Sequence, residues 1–156
     1  MLCLAFSLEE LVGDAFMSFL RFLFFLHHSV SLCHMDLRVG NLIINDGHIV
    51  LLDYGFARDE SSLWNAGALS YLPEDMQPSV SISSFHHDLV VLVHSLYVHQ
   101  NVRCAKVDQC DSTPIWYEIM EDTAWDEPRQ LARHAETHEE YIHLGKLLDS
   151  LLMSPH

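Results

Sequence analysis

The chain has 156 residues, 49% of them hydrophobic, and its 8 Lys+Arg against 22 Asp+Glu give a formal net charge of -14 at pH 7. This length suits a single domain over residues 1–156 with its own core, and the composition excludes a disordered chain. The negative charge argues against binding to a phosphate backbone or to an anionic membrane surface. We therefore expect neither nucleic acid nor membrane among the partners.

The cysteines and the apolar segments predict an ordinary intracellular chain. None of the four cysteines forms a C-x2-C pair, which argues against a zinc site or a disulfide framework. Reduced thiols in an intracellular, most simply cytoplasmic, protein are the plainer interpretation. The most apolar stretch, residues 15–26, contains Arg21 and is shorter than the roughly 18 residues of a membrane span. We interpret it as a core helix.

The first predicted element is a helix over residues 8–28. Ser7 and Glu10 have the spacing of a capping box, and apolar residues follow at helical intervals. Much of this helix should therefore be buried, along a stripe of Leu11, Ala15, Phe19, Leu20, Leu23 and Leu26 that is widened by Phe16 and Phe24.

The second predicted element is a β-hairpin. Two short apolar runs, at residues 42–44 and 49–52, flank the sequence N-D-G at residues 45–47. Asp-Gly between two apolar runs is typical of a hairpin turn. Residues 58–84 are rich in Ser, Pro, Gly and Asn and predict a loop with little regular structure.

The rest of the chain has helical patterns. An apolar run at residues 88–99 predicts a buried helix, and helical patterns return near residues 115–121 and over residues 128–153. The order of elements predicts a mostly α-helical domain with a small β-hairpin insert. The last helix has one apolar face, made of Tyr141, Leu144, Leu148, Leu151 and Leu152.

The polar residues that point to chemistry are concentrated between residues 33 and 57. The sequence H-M-D-L at residues 34–37 is followed by Asn41, five residues after Asp36, and D-Y-G at residues 53–55 begins 12 residues after Asn41. Carboxylate and amide oxygens are ligands of Mg²⁺, and phosphoryl transfer needs a carboxylate that orients the attacking hydroxyl. The fold-back of the hairpin should bring Asn41 near the D-Y-G sequence.

In these two sequences the chain resembles the protein kinase superfamily, whose catalytic loop reads H-R-D-L-x-x-x-N and whose metal-binding loop reads D-F-G. The resemblance is specific over residues 33–57 and weaker over residues 1–100. It implies the C-terminal lobe of a truncated protein-kinase-like fold with a site for ATP and Mg²⁺. The catalytic residues that it implies are Asp36 as the base and Arg38 at the position of a phosphate-contacting lysine; the metal and cofactor ligands are Asn41 and Asp53.

The resemblance also implies structural roles for His34, Gly55, Glu74 and Asp88. Glu74 ends the sequence L-P-E, which resembles the A-P-E that closes an activation segment in kinases. Asp88 follows 14 residues later and opens an apolar helix. Its carboxylate should be buried and should accept backbone N–H groups of the catalytic loop, because a buried carboxylate needs hydrogen-bond partners.

Several parts of a kinase have no counterpart in the sequence. The chain has no Gly-rich loop and no V-A-I-K-like lysine, and its first lysine is Lys106. Met35 replaces the arginine of H-R-D, and Ala68 stands where many kinases have a threonine. We therefore expect the ATP-covering N-terminal lobe to be absent and the chain alone to be inactive, with ATP and Mg²⁺ bound weakly or not at all. The uncovered apolar face should bind a protein partner or a missing N-terminal lobe.

Three functional interpretations stay open. The first is a Ser/Thr-kinase-type domain that transfers phosphate from ATP to a protein hydroxyl once an N-terminal lobe completes it. The second is a non-catalytic pseudokinase module that binds a partner. The third is a fragment of an aminoglycoside-phosphotransferase-like small-molecule kinase, which shares H-x-D-x4-N. The 35 residues from Asp53 to Asp88, with their L-P-E sequence, favour the protein-kinase branch.

Overall fold

The structure is a computed structural model that describes residues 15–59, 63–64, 81–82, 85–101, 119 and 121–153. The capping box at Ser7, the start of the first predicted helix with Leu11, Ala68, and the L-P-E sequence with Glu74 all lie outside these residues. Most of the helical pattern at residues 115–121 also lies outside them.

The described residues form a mostly helical structure with a small antiparallel hairpin, as the sequence predicts. The α-helices are α1 (Ala15–His28), α2 (Phe85–Asn101), α3 (Asp126–His134) and α4 (His138–Met153). Within the described residues the strands pair as β1 (Leu32–Cys33) with β4 (Arg58–Asp59), β2 (Leu42–Asn45) with β3 (His48–Leu51), and β5 (Leu63–Trp64) with β6 (Ser81–Ile82). Short 3-10 turns cover Val39–Asn41 and Thr123–Trp125.

The hairpin is set by its two-residue turn. Asn45 pairs with His48, so only Asp46 and Gly47 connect β2 to β3. Both have positive φ, 53° at Asp46 and 75° at Gly47, which is the type I′ geometry that an Asp-Gly turn favours. A Cβ at Gly47 would meet no atom within 4 Å, so glycine is favoured there by its backbone conformation.

The core is built by helix packing. Helix α1 packs along α4, α2 packs along α3, and α3 contacts α4. The helices α1 and α4 approach closely at Gly145, where a Cβ would lie 3.4 Å from Leu20 Cγ and 3.5 Å from Met17 Cα. None of the helices in the described ranges is long and apolar enough to cross a bilayer. The predicted apolar faces of α1 and α4 are buried at Phe16, Phe19, Leu20, Leu23, Leu26, Tyr141, Leu144, Leu148 and Leu152.

The prediction of one helix over residues 128–153 is wrong, because α3 ends at His134 and α4 begins at His138. Thr137 caps α4: the Glu140 N–H donates to Thr137 Oγ1 (3.1 Å), and the Thr137 N–H donates to Glu140 Oε1 (3.0 Å). These reciprocal bonds form a capping box. The apolar pattern continues across the break, so periodicity alone misses it.

The range at residues 58–84, predicted to have little regular structure, contains three strands of two residues each, β4, β5 and β6, among its described residues. Strands of two residues are too short to produce a periodic pattern. The pairing of β1 with β4 has a consequence for the site. The residues just before His34 pair with residues that follow the D-Y-G sequence. This pairing holds the start of the first motif near the end of the second.

Candidate functional site

One buried carboxylate ties the loop that follows β1 to α2. Asp88 is 1% exposed, its Oδ2 accepts the His34 N–H (2.7 Å), and its Oδ1 accepts the Met35 N–H (2.8 Å). These bonds satisfy a buried charge and two buried backbone donors at once. The predicted position of Asp88, at the start of an apolar helix and under the backbone of this loop, is confirmed.

His27 and Tyr141 extend this anchor to α1 and α4. His27 Nε2 lies 2.8 Å from Asp88 Oδ2, and His27 Nδ1 lies 2.6 Å from the Tyr141 hydroxyl. Both side chains are fully buried. Burial, and then the charge of Asp88, raises the pKa of Tyr141 far above its usual range, so the hydroxyl keeps its proton. Because the Tyr141 hydroxyl keeps its proton, it can donate to His27 Nδ1 while His27 Nε2 donates to the Asp88 carboxylate.

The sequence predicts little of this hydrogen-bond network. His27 follows Leu23 by four residues and so continues the apolar stripe of α1. A polar residue on such a stripe indicates a buried hydrogen-bond partner. Tyr141 lies 114 residues away from His27 in the chain, and no local pattern connects the two.

His34 links the two motif loops. Its Nε2 donates to the Leu52 carbonyl (2.9 Å), and its Nδ1 accepts the Asp36 N–H (3.2 Å). Together these contacts require the neutral tautomer with the proton on Nε2. The ring also packs edge-on against the Tyr54 ring, with centroids 4.9 Å apart. The contacts agree with the structural role expected of His34.

Both carboxylate oxygens of Asp36 are held by neighbouring side chains. Asn41 Nδ2 donates to Asp36 Oδ2 (2.9 Å) and to the Asp36 carbonyl (2.8 Å), and Arg38 Nε donates to Asp36 Oδ1 (3.1 Å). Asp36 and Asn41 are each 5% exposed, whereas the Arg38 side chain is 43% exposed. The carboxylate therefore has a defined orientation, and Arg38 reaches it from the solvent side.

Asp53 begins the second motif loop, just after the hairpin that follows Asn41 in the chain. The Leu52 N–H donates to the Asn41 carbonyl (2.8 Å), so Asp53 directly follows a residue bonded to Asn41. The Asp53 side chain is exposed, and its Oδ1 accepts the Gly55 N–H (3.2 Å). A Cβ at residue 55 would lie 3.1 Å from that oxygen, so glycine leaves the carboxylate room to turn back onto its own loop.

The backbone is left-handed at one residue of each motif loop. Met35 has φ 72° and Asp53 has φ 57°. For residues other than glycine this conformation costs roughly 1–2 kcal/mol, so the surroundings must impose it. At Met35 the bond from its N–H to Asp88 does so, and at Asp53 the flanking bonds of Leu52 and Gly55 do so.

Two oxygen-bearing side chains of the motif loops, Asn41 and Asp53, are the candidates for metal ligands. Among the described residues, no group of three or more His, Cys, Asp or Glu side chains is placed to bind a metal ion. The Asn41 amide nitrogen donates both of its hydrogen bonds to Asp36, which leaves Asn41 Oδ1 for another partner. This oxygen and the Asp53 carboxylate are hard ligands of the kind that Mg²⁺ takes together with substrate phosphates.

A scan against models of known protein families finds none that matches the chain.

Proposed function

We propose that this chain is a protein-kinase-like C-terminal lobe. In this proposal it contributes the base and the metal ligands for Ser/Thr-kinase-type transfer of phosphate from ATP to a protein hydroxyl, and a second, nucleotide-holding lobe completes the site. The observation that carries the proposal is the orientation of Asp36: Asn41 holds one carboxylate oxygen at 2.9 Å and Arg38 the other at 3.1 Å. Phosphoryl transfer depends on such positioning more than on covalent chemistry.

Each polar group has a task in this reaction. Asp36 accepts a hydrogen bond from the attacking hydroxyl, orients it toward the phosphorus and takes up its proton. Arg38 donates a hydrogen bond from Nε to Asp36. Its terminal N–H groups lie in the guanidinium plane and can donate to a phosphate. His34 keeps the Asp36 N–H and the Leu52 carbonyl in a fixed relation, which sets the distance between the two motif loops.

Asn41 Oδ1 and the Asp53 carboxylate are the groups that would hold Mg²⁺. When bound, the ion neutralises phosphate charge. Two protein oxygens alone make a weak site, because Mg²⁺ gives up its water reluctantly and shares its shell with nucleotide phosphates. We therefore expect metal and nucleotide to bind this chain together and weakly.

The surface next to Asp53 favours a second candidate, a pseudokinase module that only binds a partner. Tyr54 is 43% exposed and Phe56 is 38% exposed, so two aromatic rings face solvent beside the metal-binding loop. Exposed apolar side chains at one place indicate an interaction surface. Both candidates use this surface to bind another lobe or protein, and they differ in whether phosphate is transferred afterwards.

Calorimetric titration with ATP·Mg²⁺ and a radiolabel transfer assay on protein substrates test the proposal. Asp53→Ala is the test variant, and Glu139→Ala, an exposed carboxylate on α4, is the matched control. We expect the wild-type chain and Glu139→Ala to bind ATP·Mg²⁺ no more tightly than millimolar, Asp53→Ala to lose that binding, and none of them to transfer phosphate. Binding that does not depend on Asp53 would refute the assigned site. Transfer by the wild-type chain that vanishes in Asp53→Ala would show that no second lobe is needed.

A further inference from the structure

We propose that Ser95 is a positioning residue of the candidate site: its hydroxyl on α2 caps the 3-10 turn Val39–Asn41 and thereby sets the Asn41 amide against Asp36. The importance of Asn41 as a metal ligand rests on the proposed function. The positioning of its side chain by Ser95 rests on contacts alone, so the two can fail separately.

The hydroxyl of Ser95 donates one hydrogen bond and accepts another. Ser95 Oγ donates to the Leu92 carbonyl (3.1 Å) and accepts the Val39 N–H (3.2 Å). A hydroxyl has one hydrogen, and because that hydrogen points at Leu92, a lone pair is free to face Val39. Ser95 is 2% exposed and Val39 is 4% exposed, so no solvent is available to replace this bond.

The turn has no cap of its own. Arg38 occupies the N-cap position and makes no side-chain cap hydrogen bond, since a guanidinium has no acceptor for a backbone N–H. The turn is closed by the Asn41 N–H, which donates to the Arg38 carbonyl (2.9 Å). The Val39 N–H lies at the start of the turn, where helical structure leaves donors without internal partners. A serine 56 residues further along the chain supplies the missing acceptor.

Ser95 and Asp88 hold the two ends of the same loop. They are seven residues apart on α2, which is two helical turns or about 10 Å along the axis, so both face the loop. Asp88 binds the backbone at the start of the loop, at His34 and Met35, and Ser95 binds it at Val39. The part of the loop between these anchors contains Asp36.

The position of Asn41 depends on the turn. Asn41 is the last residue of the turn, and its amide nitrogen donates to both the carbonyl and the carboxylate of Asp36. Both bonds require the Asn41 Cα to stay at its present distance from Asp36. Without the cap at Val39, the start of the turn can open, and these two bonds lose their geometry.

The alternative is that Ser95 serves only its own helix. A buried serine within a helix often donates to the carbonyl three or four residues earlier, as Ser95 does to Leu92, without any further role. Under this alternative, removal of the hydroxyl changes the stability of α2 and leaves the Asn41 side chain where it is.

The test compares Ser95→Ala, Ser95→Thr and Ser95→Cys by NMR, with Ser18→Ala on α1 as the control. In Ser95→Ala we expect hydrogen exchange of the Val39 amide to accelerate at least about tenfold, the scale set by one buried hydrogen bond. The amides of His34 and Met35, which Asp88 holds, should keep their protection. The two side-chain amide proton signals of Asn41 should shift, and Ser95→Thr should restore both signals.

The same samples, titrated with Mn²⁺ and ATP, link the positioning to ligand binding. Line broadening near Asn41 and Asp53 should need a severalfold higher Mn²⁺ concentration in Ser95→Ala than in wild type or Ser95→Thr. If Ser95→Ala unfolds the chain, Ser95→Cys, with its weaker acceptor, should give the same changes at reduced size.

Two results would overturn the inference. An unchanged Val39 exchange rate in folded Ser95→Ala would show that the hydroxyl does not cap the turn. Faster Val39 exchange with unchanged Asn41 amide signals would show that Ser95 is structural only. If the wild-type chain shows no Mn²⁺ broadening at Asn41 and Asp53, the proposed function fails, and the Val39 and Asn41 signals alone then decide the positioning role.

Discussion

The two motif loops of this protein are held in opposite ways. The loop at residues 34–41 is buried, and residues of α1, α2 and α4 fix it through Asp88 and Ser95. The segment at residues 53–56 is exposed, and among the described residues its carboxylate bonds to its own loop, at the Gly55 N–H. The first loop is therefore organised before any ligand arrives, whereas the second has a carboxylate that is free to bind one.

This difference suits a division of labour. A group that orients a reacting hydroxyl gains from rigidity, because misplacement by a fraction of an ångström is costly in rate. In the proposed reaction, the exposed Asp53 carboxylate would instead be ordered by nucleotide and by the lobe that covers it. The comparison predicts large stability effects for substitutions beneath the first loop and small ones in the second segment.

The largest effect is expected for Asp88→Ala. The substitution leaves three buried donors without an acceptor, those of His27, His34 and Met35. At about 1–3 kcal/mol for each unsatisfied group, the free energy of unfolding should fall by roughly 3 kcal/mol or more. Urea denaturation measures the loss against Glu139→Ala, which should change little. An unchanged midpoint in Asp88→Ala would mean that the anchor does not stabilise the fold.

The next effect is a loss of stability at acidic pH. Burial lowers the pKa of His87, the residue before Asp88, to about 4, and burial also lowers the pKa values of His28 and His99. Because the folded state disfavours the charged imidazole, the stability that these residues contribute is present above pH 6.5 and is lost as the pH falls below it; for His87 the loss continues to about pH 4.

For His87 alone, the loss between pH 6.5 and pH 5 should be about 2 kcal/mol, at 1.36 kcal/mol per pKa unit. Urea denaturation at a series of pH values measures it. The dependence should be shallower in His87→Gln, while His48→Gln, an exposed histidine of β3, should behave as wild type. Equal slopes for all three proteins would contradict the buried, neutral state of His87.

A smaller effect is expected for Tyr141→Phe. The ring stays, and only the hydroxyl bound to His27 at 2.6 Å is removed. The substitution leaves one buried acceptor, His27 Nδ1, without its donor, so the free energy of unfolding should fall by at least about 1 kcal/mol, the lower end of the cost of one unsatisfied buried group. Tyr54→Phe, in the exposed segment, is the matched control and should leave the denaturation midpoint unchanged. A Tyr141→Phe midpoint equal to that of the control would indicate that α4 does not support the anchor at Asp88.

The smallest effect is expected for Asp53→Asn. The side chain is exposed, and asparagine tolerates the left-handed backbone that Asp53 adopts. The free energy of unfolding should change by less than about 0.5 kcal/mol, the usual range for surface substitutions. A loss as large as that of Asp88→Ala would remove the distinction between the two loops.

The sequence predicts the parts of this structure that depend on local signals. The Asp46-Gly47 turn and the buried stripe of α1 are of this kind and agree with the structure, whereas the position of Asp88 under the loop, 54 residues from His34, is predicted only from the resemblance to kinases. The contacts of Tyr141 and Ser95 could not be predicted, because each joins residues more than 50 positions apart through a single hydroxyl. Helix packing brings such partners together, and the spacing of residues along the chain does not predict them.

The most direct test of the central claim is where a metal–nucleotide complex binds. Mn²⁺ with ATP, titrated into the isotope-labelled chain, broadens the NMR signals of nuclei near the ion. We predict that the signals of Asp36, Asn41 and Asp53 broaden together at millimolar ligand, and that Asp53→Ala abolishes the broadening while Glu139→Ala preserves it. Broadening at other residues, or none at these three, would contradict a phosphotransfer site in this chain.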